Sequence, residues 1–219
     1  MKIQIDLNGV KVERNLPIRW EDITFEQLLK LEQCKDDTER LSLFTGVDVA
    51  TLKVAKIGNL EGVITCLSFL TRETEFFTIP TSCMGYDIPK DLAMETIGQY
   101  QDLKLEASTM INDVQSFEKY AHFCAIFACK PYDYANAEKL IPIFMQAPCT
   151  EVMAIGNFTL LRLAELTGNI PKGSLSQPTR MKRYRQAFKT YLKRLVFTVR
   201  FYIWKRKLRL TETSSSGGV

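Results

Sequence analysis

The sequence predicts a mainly α-helical protein: an N-terminal β-hairpin, a bundle of short helices, and a long, basic, amphipathic helix near the C-terminus. Three observations carry this reading. Apolar residues recur at helical spacing through most of the chain. Strict alternation is confined to the first dozen residues. The charge is sharply divided, because residues 172–210 hold 13 Lys or Arg and no acid, whereas residues 1–171 hold 16 basic and 24 acidic residues, a net of −8. The overall charge of +4 averages these two regions.

With 46% hydrophobic residues in 219, the chain has the means to bury a real core and lies far from the composition of a disordered protein. Ile3, Ile5 and Leu7 alternate with polar residues up to Asn8-Gly9, and Val10 and Val12 resume the alternation. Asn-Gly supplies the positive φ angles of a tight hairpin turn. Thr24 followed by Gln27 is a capping box, in which each side chain satisfies an otherwise orphan backbone N–H, so a helix is expected over 25–33. Further helices are expected over 37–45, closed by Gly46, over a turn or two of 48–56, and over 60–71. Residues 75–80 and 84–89 carry the aromatic, β-branched and Pro punctuation of two short edge strands or an extended loop, a subdivision point within an acidic helical body spanning 21–171.

The stretch from Thr96 through Gln99 to Leu103 repeats the pattern from Thr24 through Gln27 to Leu31. Two similarly capped helices explain it, and internal duplication is the alternative. Helices over 116–129, 135–146 and 150–166 complete the body, the last closed by Gly168.

Residues 172–177, with Gly173, Ser174 and Ser176, read as a linker, and the Ser- and Gly-containing residues 211–219 as a flexible tail. Between them, Met181, Tyr184, Phe188, Tyr191, Leu195, Thr198 and Tyr202 step by three and four and so share one face of a helix over 178–210. Such a helix would be roughly 50 Å long. Arg180, Lys182, Arg183, Arg185, Lys189, Lys193, Arg194, Arg200, Lys205, Arg206, Lys207 and Arg209 occupy much of the rest. With no acid to form i,i+4 pairs, they call for counter-charge from elsewhere. Three readings stand: a stripe packed on the protein's own core, phosphate neutralisation on nucleic acid, or docking on an acidic protein partner or anionic membrane. The length and the Tyr-rich stripe favour protein assembly, with DNA contact second.

Several chemistries have no visible seat. His122 is the single histidine, which excludes a His pair or a His-rich metal centre. His122, Cys124 and Cys129 have the wrong spacing for a zinc knuckle, and core packing is the reading for all three. There is no GxxxxGK[ST], GxGxxG or GxSxG motif. Six scattered cysteines without CxxC spacing read as reduced, mostly buried thiols. Asp6 interrupts any signal-peptide core, and the longest apolar runs are about ten residues, short of the roughly 20 that span a membrane. Glu21-Asp22 and Asp36-Asp37 sit where helix N-termini want negative charge. No catalytic, cofactor or metal residues are nominated, and a non-enzymatic protein made in the cytoplasm is expected.

Trp20-Glu21-Asp22-Ile23-Thr24, with Gln27 and Leu31, then Leu41-Ser42-Leu43-Phe44-Thr45-Gly46, resembles small tail-assembly chaperones and virion proteins of tailed bacteriophages, especially crAss-like phages. Thr96 to Leu103 resembles the same group. The match covers about half the chain and its motifs are short and apolar. The resemblance implies a virion structural or assembly protein in many copies, with portal, tail or capsid proteins as partners and nonspecific DNA contact as an accessory. The long basic helix departs from a simple tail-assembly chaperone and shifts the expectation toward a component retained in the virion. A transient chaperone and a nucleic-acid-binding adaptor are the alternatives.

Overall fold

The computed structural model describes residues 1–7, 10–71, 78–110 and 116–167. The Asn8-Gly9 turn, the first expected edge strand through Phe77, Gly168, and the linker, basic helix and tail beyond it lie outside the described residues. Eight α-helices and two short antiparallel hairpins account for most of what is described. Those residues fall into two units, one drawn from 1–19 and 32–71, the other from 20–31 and 78–167.

In the first unit, β1 (Lys2–Leu7) and β2 (Val10–Asn15) pair antiparallel, with Leu7 opposite Val10 and Lys2 opposite Asn15. That register is the one a two-residue loop dictates. The alternation puts Ile5 in the core and leaves Gln4 exposed. Helix α1 (Phe25–Gln33) belongs mostly to the second unit, and α2 (Asp37–Thr45) lies wholly in the first. Asp36 caps α2 by accepting the Glu39 N–H at 2.8 Å, while the Glu39 carboxylate reaches back to the Lys35 N–H. Gly46 closes the helix at φ +65°, where its N–H donates to the Ser42 carbonyl. The Arg14 guanidinium of β2 donates from Nε to the Thr45 carbonyl at 2.7 Å, so a cation meets the negative end of α2.

Asp48 caps α3 (Val49–Val54), and α4 (Glu61–Cys66) follows. Here the structure differs from the single helix expected over 60–71: the chain tightens into a 3-10 turn over Leu67–Thr71. The Thr71 hydroxyl donates to the Ser68 carbonyl within that turn. α4 faces the hairpin, where a Cβ at Gly62 would meet Ile3 at an ordinary contact distance of 3.7 Å.

The second unit is organised around α6 (Lys119–Ala128), which packs against α5 (Ile97–Met110), α7 (Tyr134–Met145) and α8 (Cys149–Leu166). From Tyr120 to Ala128 every residue except His122 is buried. A helix apolar on all sides has to be surrounded, and its sequence, KYAHFCAIFA, is of that kind. A 3-10 turn over Ser116–Glu118 occupies the start of the helix expected from 116, and Asp133 caps α7 one residue earlier than expected. The α1 start is stitched to the α7–α8 connection: Phe25 N–H donates to the Ala147 carbonyl, and Cys149 N–H to that of Ile23. All six cysteines are free thiols, and all but Cys34 are buried.

Within the short strand or extended loop expected over 84–89, Tyr86–Asp87 form the short strand β4, which pairs with β3 (Ser82–Cys83) across a turn at Met84-Gly85. Met84 and Gly85 both have positive φ, +51° and +82°, as a two-residue turn of primed type requires. The hairpin is anchored by Cys83, which is buried, and by Tyr86, whose ring lies 5.7 Å from that of Phe144.

Candidate functional site

The densest meeting of ionisable side chains among the described residues surrounds Glu106 on α5. Its position follows from spacing, because Gln99, Leu103 and Glu106 share the buried face of that helix. A carboxylate carried into the interior on an otherwise apolar stripe needs partners. Three converge on it. The Tyr134 hydroxyl donates to Oε1 at 2.8 Å, His122 Nδ1 lies 3.1 Å from the same oxygen, and Lys119 Nζ lies 2.8 Å from Oε2. One turn earlier on α5, Asp102 accepts the Tyr132 hydroxyl. Two carboxylates spaced by four residues thus tie α5 to α6 and to the start of α7.

Burial alone would raise the Glu106 pKa, but the hydrogen bonds from Lys119 and Tyr134 and the charges of His122 and Lys119 outweigh it and hold the carboxyl below the usual range. Tyr134 is pushed the other way, up to about 12, chiefly because its proton is held against Glu106, with burial adding to the effect. Tyr132 is raised too, by burial first and then by its bond to Asp102. Both phenols are therefore fixed as donors at neutral pH. The arrangement can hold three helical segments in register. The adjoining crease between α6 and α7, lined by Ala125, Ile126, Ala137 and Ile141, is closed to a water-sized molecule.

His122 corrects the expectation of core packing: its side chain is partly exposed and turned to a carboxylate. Cys129 faces the carbonyls of Pro131 and Asp133, and Cys124 is enclosed in α6 packing. Among the described residues no group of three His, Cys, Asp or Glu side chains converges as a metal site. The sequence reading did not single out Glu106, Lys119, Tyr132 or Tyr134. The available signal was an acid at 106 on the same stripe as Gln99 and Leu103.

The basic residues expected to contact a partner, Arg180 through Arg209, and the apolar face from Met181 through Phe188 to Tyr202 lie outside the described residues. What the structure adds is where the opposing charge sits. The described residues of the first unit carry eight acidic and eight basic side chains, net zero. Those of the second carry 13 acidic and seven basic, net −6. No helix among the described residues is long and apolar enough to cross a membrane.

The fold and this cluster define a mainly helical protein whose polar interior groups are spent on tying helices together. No protein-family model matches the chain, and comparison with curated proteins and with solved structures finds no match.

Proposed function

We propose that this protein is a non-enzymatic structural or assembly component of a bacteriophage virion, docking into a portal, tail or capsid assembly through residues 178–210. The observation that carries the reading is the division of charge: 13 basic residues and no acid over 172–210, on a chain whose preceding residues sum to −8. Like charges crowded on one amphipathic segment repel unless an external surface neutralises them. The same segment repeats apolar residues at three- and four-residue steps, as helices that lie in a partner's groove do. The state of Glu106 supports a structural role for the body, since its oxygens are engaged by Tyr134, His122 and Lys119.

The virion as the setting rests on the resemblance of residues 20–46 and 96–103 to phage tail-assembly and virion proteins. There the protein would be present in many copies after synthesis in the host cytoplasm. Mass spectrometry of purified particles tests this. Recovery of the protein in stoichiometric amounts is expected; absence from mature particles overturns retention in the virion and favours a transient tail-assembly chaperone.

A nucleic-acid-binding adaptor is the second reading, favoured by the same Lys/Arg run. Phosphate neutralisation releases counterions, so affinity would fall steeply with salt. Replacing Arg183, Arg185, Lys189 and Lys193 with Glu would abolish such binding. Binding insensitive to salt would exclude it.

A further inference from the structure

We draw no further inference here: the strongest candidate, the outward face of α5 that carries the exposed Ile97 and Leu105, is an unpartnered helix face, and nothing in the structure shows what covers it.

Discussion

The ring of Tyr120 lies directly on the backbone of Gly156, so close that a Cβ built there would stand 2.1 Å from ring carbons Cγ and Cδ2. The Tyr120 hydroxyl continues past it to donate to Asn157 Oδ1 at 2.9 Å. The ring also stacks with that of Phe123 and makes an edge-on contact with Phe117. α6 and α8 therefore meet at a distance that only glycine permits. Gly156→Ala should destabilise the fold by about 2–3 kcal/mol, at the upper end of overpacking costs, despite the better helix propensity of alanine. Urea unfolding of the single variant and of Gly156→Ala with Tyr120→Leu checks this. The double variant should recover part of the loss; equal stability of Gly156→Ala and the parent would disprove the close packing.

Removing the carboxylate at the centre of the α5–α6–α7 cluster leaves a cation and two other donors without their acceptor. Glu106→Ala should cost about 1–3 kcal/mol, below the range for a fully buried pair because Lys119 and His122 keep about a quarter of their side chains in water. The pH dependence has a definite sign. The folded-state pKa of Glu106 is lowered, so its contribution is present above the unfolded carboxyl pKa and is lost as pH falls through the lower folded value. Stability measured from pH 7 downward should thus fall less steeply in Glu106→Ala than in the parent. Parallel curves would remove Glu106 as a source of acid lability.

Tyr134 titrates in the opposite sense. Its pKa, about 12 in the folded protein, exceeds the ordinary phenol value, so its contribution is complete below about 10 and is lost as pH rises through the folded value. Ultraviolet titration of tyrosinate should show a component near pH 12 that disappears in Tyr134→Phe. If the component persists, the Tyr134–Glu106 bond is not what holds the proton.

The two capping boxes differ in depth. Thr24 and Gln27 exchange bonds at 3.2 and 3.0 Å in a half-buried setting. Gln99 accepts from the Glu95 and Thr96 N–H groups, and its buried amide also donates to the Ile126 carbonyl across to α6. Thr24→Ala and Thr96→Ala should each cost about 1 kcal/mol. Gln99→Ala should cost at least about 1 kcal/mol more than Gln27→Ala, because it strands a buried carbonyl as well. Thermal unfolding of the four variants makes the comparison, and equal losses for the two glutamines would contradict it.

This pair also marks how far the sequence is legible. The repeated Thr-x-x-Gln pattern announces both helix starts, because capping is local chemistry. It does not reveal that Phe25 is fully buried while its counterpart Ile97 is mostly exposed, since that depends on what packs above each helix. The Asp36, Asp48 and Gly46 caps and the β1–β2 register are local in the same way and are readable in advance. The Glu106 cluster is not, because Tyr134 is 28 residues away and only packing brings it near. The break in the helix expected over 60–71 and the turn at Met84 were obscured for another reason. At Met84 the turn takes a positive φ that the residue itself disfavours, and no residue pattern over 67–71 separates a 3-10 turn from a continued helix.

Met84 illustrates that conflict, with a side-chain-bearing residue at φ +51° in a turn position that favours Asn or Gly. Its side chain is 44% exposed, so little packing is lost on replacement. Met84→Asn should stabilise the protein by about 0.5–1 kcal/mol through relief of left-handed strain. A calorimetric melting temperature raised by a few degrees is expected; a lowered one would show that the methionine side chain outweighs its backbone cost.

The uneven division of charge makes ionic strength a means of addressing one part of the protein without the other. The described residues of the first unit, with eight charges of each sign, have little net self-repulsion to relieve. Those of the second, at −6, repel one another on balance, and added salt, with a screening length of about 8 Å at physiological strength, shortens the reach of that repulsion. Amide exchange in α5 through α8 should then slow as salt is raised, while exchange in α2 through α4 stays nearly constant. Two regions of one chain would answer the same solvent change differently, and that contrast is a consequence of where the acids fall along the sequence.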